Sequence, residues 1–261
     1  MVLHATLAIL FYLRPRADLL VDDFPSLVAS WVRRLAGPFR EFGGVIGGLY
    51  LVDWALKLLS PAWGVYPYAF VVQPIPDQPL LPSALSKNIG VERLRPSGPW
   101  LDQMVVPAPV LANRFAQGAC GIAVLRKGQL TGYAWWTAAS YPEQEVRCNF
   151  VLSEPAHAVF DFDVHVMPEH RMGLGFMSVW HAFVEELRRD GVKHSYSRIS
   201  RFNLASLRAH ARLGAQPIGR AIFVRVGALT LALMGRFPFV GVSLGDACCL
   251  SLRLSRKGVD W

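Results

Sequence analysis

The chain has 261 residues, of which 52% are hydrophobic and only 18% are charged. It can therefore bury a sizeable core, and its composition argues against disorder, collagen and coiled coil. A net charge of +8 and a mean hydropathy of +0.30 favour an anionic partner: a membrane surface, a phosphorylated ligand or nucleic acid. Nucleic acid is not expected, because no basic stripe with interleaved aromatics stands out. The four cysteines form no Cys-x-x-Cys pair and the seven histidines no His-Glu-x-x-His motif. We therefore expect a reducing compartment, no metal site and no secretory signal.

Three apolar segments near the start of the chain predict short helices. Val2–Leu13 is shorter than the ~20 residues that span a bilayer. Phe24–Leu35 has apolar residues at helical spacing. Val45–Leu59 is apolar except for Asp53 and Lys57, which lie four residues apart and can pair. Two interpretations stay open: these helices cap a soluble core, or they attach the protein to a membrane surface without crossing it. We expect the second.

A proline-rich stretch then separates this part of the chain from the rest. Four prolines between Gln73 and Pro82 predict an extended linker. Beyond it, the apolar periodicity predicts alternating strands and helices. The predicted strands are 89–94, 121–126, 129–138, 145–152, 159–166, 193–199 and 217–226, and the predicted helices are 175–189 and 203–213, with part of 100–117 helical. The predicted organisation is a membrane-associating helical segment over residues 1–72, a linker over 73–87 and an α/β or α+β domain over 88–261.

One stretch of that domain carries the chemistry. The strand Val159–Val166 is followed by His170-x-x-Gly173-x-Gly175, a glycine turn that opens a helix. Such a turn presents unpaired backbone N–H groups and the positive end of the helix dipole, which suit a phosphate or pyrophosphate. The turn lacks the Gly-Lys-Ser/Thr of a P-loop and does not match Gly-x-Gly-x-x-Gly.

Together with the strand and the helix predicted after it, this stretch resembles the GCN5-related N-acetyltransferase (GNAT) superfamily. That family has a strand, a Gln/Arg-x-x-Gly-x-Gly/Ala loop at a helix start, a second strand, and an Asn-initiated helix that ends in Leu-Gly-Phe. Here His170 replaces the Gln or Arg, with Arg171 one position away; Asn203 opens the second helix, and Ala215 replaces the Phe. The match covers roughly residues 159–216 and, more loosely by strand order, 88–235. The resemblance implies a mixed, mostly antiparallel central sheet flanked by helices.

The resemblance also implies an acyl-CoA co-substrate, no metal, and direct attack of an acceptor amine on the thioester. Main-chain groups at the end of the first strand would align the pantetheine arm, and the glycine turn would hold the pyrophosphate. The implied acyl-CoA-binding residues are His165, Val166, Met167, Arg171, Met172, Gly173, Leu174, Gly175 and Asn203. For Asn203, simple capping of its own helix is an equal alternative.

His210 stands where the family commonly has a tyrosine, seven residues after Asn203 and four before Gly214. The resemblance therefore implies that His210 protonates the departing thiolate; the alternative is an ordinary surface histidine. The candidates for the base that takes the ammonium proton are Asp161, Asp163, His165, Glu143 and Glu145. Strand alternation predicts that the first three share one face. We expect Asp163 to be the base, and pairing of these aspartates with Arg147 or Arg198 is the structural alternative.

The acceptor is the least defined part of the prediction. The segments 68–74, 145–148 and 197–203 look similar to those of bacterial ceramide synthase-like proteins of this superfamily. They favour a lipid or long-chain amine at the inner membrane surface of the cytoplasm. Acetylation of a small amine or of a protein is the alternative enzyme activity. A degenerate module that binds CoA or a partner without turnover is the non-enzyme alternative.

Overall fold

The computed structural model describes residues 35–143, 145–245 and 250–261. Its strands are β1 (Gly64–Pro74), β2 (Ile89–Arg93), β3 (Cys120–Arg126), β4 (Gln129–Thr137), β5 (Ser140–Glu143), β6 (Cys148–Leu152), β7 (Ala158–Val166), β8 (His194–Ser200), β9 (Gln216–Val226), β10 (Leu229–Met234), β11 (Val240–Leu244), β12 (Leu250–Ser255) and β13 (Gly258–Asp260). The helices are α1 (Gly44–Leu59), α2 (Ser83–Ser86), α3 (Ala108–Ala116), α4 (Gly175–Arg189) and α5 (Leu204–Arg212). A further helical stretch over residues 35–42 precedes α1.

The strands form two sheets. The large sheet has nine strands in the order β11-β10-β9-β1-β8-β7-β4-β3-β2, and only β7 and β8 run parallel in it. The small sheet has the order β13-β12-β6-β5. With helices flanking the large sheet, this is the mixed, mostly antiparallel sheet architecture that the resemblance implied, and the predicted fold class is confirmed.

Two apolar layers hold the large sheet. On one face, α4 contributes Val179, Trp180 and Phe183 to a buried cluster with side chains of β3 and β4. On the other face, Phe70 and Phe223 of the large sheet meet Phe150 of the small sheet in a second cluster. All six side chains are fully buried, and each such burial contributes roughly 1.5–3 kcal/mol. The sheet is therefore covered on both faces along its centre, where the chemistry-bearing strands lie.

Most local predictions are confirmed. α4 begins and ends at the predicted residues, and α5 begins directly after Asn203. The strand predicted over 145–152 begins only at Cys148, because Glu145–Arg147 form a turn in which Arg147 has a φ of 48°.

The boundary expected at residue 72 is corrected by the position of β1. This strand lies between β8 and β9 in the middle of the large sheet, although it comes first in the chain. Most of its apolar side chains are buried, among them Tyr68 and Phe70. The helical segment thus ends at Leu59, and the residues after it belong to the core domain.

The expected linker over 73–87 is also corrected. Gln73 and Pro74 complete β1, and Ile75 joins the apolar cluster beneath α4. The Ile75 N–H donates to the carbonyl of Lys193 over 2.9 Å. Prolines here give an extended chain that is packed on the domain, because apolar residues between them find places in the core.

The predicted pair in α1 is confirmed, since Lys57 Nζ lies 2.9 Å from Asp53 Oδ2. Asp53 Oδ1 also accepts the Val65 N–H over 2.9 Å, which ties α1 to the start of β1. Along the parts of the chain that the structure describes, no helix is long and apolar enough to cross a bilayer. The helices expected at Val2–Leu13 and over most of Phe24–Leu35 lie outside the described residues.

Candidate active site

The two parallel strands of the large sheet separate at their carboxyl ends. β7 and β8 pair only from Ala158 with His194 to Asp161 with Ser197, although both strands continue further. Beyond that point β7 stays on β4 and β8 stays on β1. The result is a gap between strands whose facing edges have no strand partner in the described chain beyond Asp161. Unpaired strand edges of this kind can hydrogen-bond an extended ligand.

A β-bulge in β7 lies at the start of this gap. Trp135 of β4 pairs with Asp163, and the next residue, Trp136, pairs with Asp161, so Phe162 is the extra residue. A bulge adds one residue to one strand, bends it and shifts its side-chain alternation. The bend accompanies the separation of β7 from β8.

The bulge corrects the prediction that Asp161, Asp163 and His165 share one face. Asp161 hydrogen-bonds to β8 residues beneath α5, whereas Asp163 pairs with Arg114 of α3 and His165 stacks on Tyr133. The simple alternation of a flat strand fails here because the extra residue moves every later side chain to the opposite face.

Asp161 is the centre of a buried polar cluster at the point of separation. The hydroxyls of Ser195 and Ser197 each donate to Asp161 Oδ2 over 2.6 Å. Burial raises the pKa of the Asp161 carboxyl, while the nearby His210 and the two hydroxyl donors act in the opposite direction. Both of these hydrogen bonds come from β8, which makes Asp161 a structural link between the strands. The sequence signal for this cluster was the alternation Ser195-Tyr196-Ser197 within the strand.

His210 is held rigidly in the last turn of α5. Its side chain is buried, and Nδ1 lies 2.9 Å from the carbonyl oxygen of Ser206. A carbonyl only accepts, so Nδ1 carries the proton and Nε2 is the nitrogen left to exchange one. The ring packs edge-on against Trp180 at 5.0 Å and contacts Phe176 of α4. His210 is thus an oriented, buried imidazole that interacts electrostatically with Asp161, and the surface alternative is corrected.

The ends of α5 are fixed by hydrogen bonds. Asn203 Oδ1 accepts the Ser206 N–H over 3.0 Å, which is an N-cap. At the other end, Gln73 Nε2 of β1 donates to the carbonyl of Leu213 over 2.5 Å. Asn203 has the capping role that the sequence left open, and its part in acyl-CoA binding stays a prediction.

The glycine turn lies between the end of β7 and the start of α4. Pro168–His170 form one 3₁₀ turn, and Gly173 has a φ of 75°, which favours glycine. α4 begins without a side-chain cap, so its first N–H groups are open to a ligand. Arg171 Nε donates to the carbonyl of Val166 over 3.1 Å, which draws the turn onto the strand end. Seven of the predicted acyl-CoA residues, from Val166 to Gly175, are therefore brought together beside the gap.

His165 directly precedes these seven residues in the chain. Its side chain lies on the face of the sheet opposite to that of Asp161. Its ring stacks on Tyr133 at 4.9 Å, and its Nε2 has no hydrogen-bond partner among the described residues. Burial lowers the pKa of His165, against an opposing effect of Asp163. His165 is thus held toward its neutral form.

A cleft of about 470 Å³ opens on the α3 side of the gap. α3 and the segment around β5 form its walls, and its lining carries two arginines and two glutamates. The lining residues are Pro109, Val110, Asn113, Arg114, Gln117, Tyr141, Pro142, Glu143, Glu145, Phe162 and Arg198. Tyr141 stacks on Phe162 at 4.3 Å, which gives the cleft an aromatic wall.

The charged groups of this cleft all have partners. Arg198 forms an ion pair with Glu143 and lies 4.8 Å over the ring of Tyr68. The Tyr68 hydroxyl donates to Glu145 Oε2 over 2.7 Å. Burial acts to lower the pKa of Arg198, but Glu143 and its other neighbours outweigh it and raise that pKa. The predicted pairing of an aspartate with Arg198 is wrong, because Arg198 pairs with Glu143 and Asp163 pairs with Arg114.

Arg114 is the functional candidate that the sequence did not reveal. Its guanidinium lies 2.8 Å from Asp163 Oδ2 and stacks over Trp135 and Phe162. The sequence predicted only part of 100–117 as helical. In the structure Pro107 is the N-cap of α3 and Pro109 lies in its first turn, where proline is compatible with a helix. Treating Pro109 as part of a helix start would have placed Arg114 on an ordered element.

Within the described ranges, no cluster of three or more His, Cys, Asp or Glu residues is arranged to hold a metal ion.

No family model and no curated protein matches the sequence. Among solved structures, a tandem GNAT protein from the clavulanic acid biosynthesis pathway is 14% identical, with a TM-score of 0.41. The alignment covers 60% of this chain and 51% of that one, so the chain spans about half its length. A putative GNAT-family acetyltransferase from Novosphingobium aromaticivorans is 16% identical over 61% of this chain and 63% of that one, with a TM-score of 0.41. An aminoglycoside acetyltransferase from an uncultured soil metagenomic sample, solved with sisomicin, is 10% identical over 49% and 89%, with a TM-score of 0.36.

Proposed function

We propose that the chain is an acyl-CoA-dependent N-acyltransferase of the GNAT type, in which an amine attacks the thioester directly. The observation that carries the proposal is the gap between β7 and β8, which has a glycine turn and an uncapped helix start on one side and a charged cleft on the other. A thioester that lies across this gap would have its nucleotide end at the turn and its acyl carbonyl near the cleft. The loop sequence at Gly173 and Gly175 and the Asn203-initiated α5 support the same assignment.

In this proposal the cleft receives the acceptor amine. The nitrogen forms a bond to the acyl carbon, the carbon–sulfur bond breaks, and the ammonium proton passes to a carboxylate. The thiolate takes a proton from Nε2 of His210 in its imidazolium form, in which Nδ1 keeps the proton that it donates to Ser206. The Nδ1 bond to Ser206 and the contact with Trp180 fix the imidazole for that transfer.

Asp163 is the proposed base. It lies on the strand that borders the gap and its side chain is 22% exposed, so an amine or a water can reach it. Asp161 is directed at β8, and Glu143 is occupied by Arg198. The ion pair with Arg114 orients the Asp163 carboxylate.

The lining of the cleft favours an amine acceptor with a polar head. Arg114, Glu143 and Arg198 can hold such a head, beside the aromatic wall of Tyr141 and Phe162. A lipid amine whose head enters the cleft while its chain stays in the bilayer is the second candidate. It is favoured by the exposed apolar side chains of α1, such as Val45 at 75% and Leu58 at 56%. Either substrate places the enzyme where cytosolic acyl-CoA is available, so we propose a cytoplasmic site of action at the inner membrane.

Calorimetry with acetyl-CoA and palmitoyl-CoA tests the turn. Gly173→Asp would bring a negative charge to the pyrophosphate and should weaken acyl-CoA binding at least tenfold. Gly191→Asp is the matched control, because both glycines have a φ of 75° and neither has an atom within 4 Å of an added Cβ. Equal acyl-CoA affinity in the two variants would contradict the assignment of the turn.

Turnover is tested separately. The protein is incubated with the same two thioesters and either a membrane extract or a panel of soluble amines, and release of free CoA is followed together with the acylated products by mass spectrometry. Binding without any CoA release would favour the non-catalytic module.

A further inference from the structure

Three strands at one edge of the large sheet carry a regular aliphatic face. The register of β9, β10 and β11 aligns three rows of three side chains across the strands. The rows are Val226-Leu229-Leu244, Val224-Leu231-Val242 and Ile222-Leu233-Val240. We call these nine residues the aliphatic grid.

The grid points away from the protein core. The residues that alternate with it, including Phe223, Ala232 and Met234, belong to the cluster between the two sheets, and successive side chains of a strand point to opposite faces. Exposure in the grid rises toward the edge strand, from 40% at Leu233 to 56% at Val242 and 73% at Leu244. A contiguous exposed aliphatic surface of this kind marks a site of interaction with a protein or a membrane.

The hairpin that joins β10 to β11 extends the apolar surface. Phe237 and Phe239 are 86% and 58% exposed, and Arg236 stands next to them with its side chain 61% exposed. Sheet edges are usually protected by charges or proline, yet β11 has the sequence Val-Gly-Val-Ser-Leu and carries neither. The edge strand is therefore as apolar as the face beside it.

We propose that the aliphatic grid and the Phe237–Phe239 tip dock onto the surface of an anionic lipid bilayer. Charge complementarity supports this occupant: the chain carries a net charge of +8, Arg40 before α1 is an exposed cation, and Arg236 at the tip is exposed although it pairs with Asp260. Apolar surface with basic residues at its margin is the arrangement that binds anionic interfaces. The inference extends the proposed function by naming the surface that faces the lipid, and rests on it only for the turnover readout below.

The size of the grid argues against a second copy as occupant. Three strands and five residues per strand cover roughly 300 Å², whereas a stable protein interface needs about 800 Å² per partner. A bilayer needs no matching partner surface, and each apolar side chain that enters it adds to the binding.

Vesicle flotation of the full chain tests the proposal. Vesicles of phosphatidylcholine with phosphatidylglycerol should float Val242→Asp with a bound-to-free ratio about tenfold below that of the unchanged protein, since one buried valine contributes about that factor. Leu85→Asp is the matched control, because Leu85 in α2 is 49% exposed and lies outside the grid. It should float like the unchanged protein. Phe237→Ala, at the exposed tip, gives a second variant with little risk to folding and should also reduce flotation.

Several results would overturn the inference. Equal flotation of Val242→Asp and Leu85→Asp would place lipid binding elsewhere in the chain. If the unchanged protein bound vesicles of pure phosphatidylcholine as well as it binds the mixed vesicles, anionic lipid would not be the partner. A dimer in sedimentation that Val242→Asp converts to monomer, with flotation unchanged, would make the grid a contact between copies. CoA release with a soluble amine and no vesicles should be the same for Val242→Asp and the unchanged protein. If neither releases CoA, the proposed function fails while the flotation result stands.

Discussion

The turn before α4 depends on a glycine that leaves no room for a side chain. A Cβ on Gly175 would lie 1.7 Å from the carbonyl oxygen of His170 and 3.2 Å from Val166 Cγ1. Real Cβ atoms essentially never come closer than 3.0 Å to a neighbour. Gly175→Ala must therefore displace the His170 carbonyl by roughly 1.3 Å, the difference between 3.0 and 1.7 Å, and the turn moves with it.

Two consequences of different size result from this displacement. Overpacking of this kind costs about 1–3 kcal/mol of folding free energy, which lowers the Tm of a protein of this length by roughly 2–10 °C. A misplacement of about 1 Å in a positioned binding group costs on the order of 10²-fold. We expect Gly175→Ala to stay folded and to bind acyl-CoA about a hundredfold more weakly.

Titration calorimetry with acyl-CoA and thermal scanning measure the two effects. Gly47→Ala in α1 is the control, because its Cβ would also meet backbone, at 2.7 Å from Phe39 Cα, far from the turn along the chain. It should lower the Tm and leave the acyl-CoA affinity unchanged. A Gly175→Ala protein with lowered Tm and undiminished affinity would refute the turn as the seat of the pyrophosphate.

Three further predictions concern the acid, the pH dependence and the first strand. His210→Ala should lower kcat by about 10²–10⁴ with little change in acyl-CoA affinity, and His210→Tyr should recover part of the rate; full turnover in the alanine variant would exclude the role. Burial lowers the pKa of His181 from its ordinary 6.5, so the folded state binds fewer protons than the unfolded chain just below that pH. The Tm should therefore fall as pH drops from about 7 to 5, and His181→Gln should flatten part of this slope in thermal scans; an unchanged slope would count against the assignment. Deleting residues 1–34 should leave a folded protein by circular dichroism. Deleting residues 1–72 removes most of β1 and should abolish folding. Cooperative unfolding of the protein that lacks residues 1–72 would overturn this expectation.

The features that the sequence determined by itself depend on neighbours close along the chain. The bounds of α4 follow from a 3.6-residue apolar period that begins after a glycine, and the β3–β4 hairpin follows from two apolar runs around Lys127-Gly128. The glycine turn and the start of α5 at Asn203 are equally local, since a positive φ and an N-cap each require particular residue types at one position. These signals were enough to indicate the fold class and one side of the candidate site.

Tertiary structure alone decided the other side of the site. Whether β1 adds to the sheet depends on the partners β8 and β9, more than a hundred residues away. The bulge at Phe162 exists only in the register of β7 against β4, so no pattern within β7 could show that Asp161 and Asp163 face opposite ways. The pairing of Arg114 with Asp163 likewise needs α3 to pack over that strand. A strand's own sequence sets which side chains alternate, but the neighbouring strand sets where the alternation breaks. In this protein that break directs Asp161 to β8 and Asp163 to Arg114 of α3.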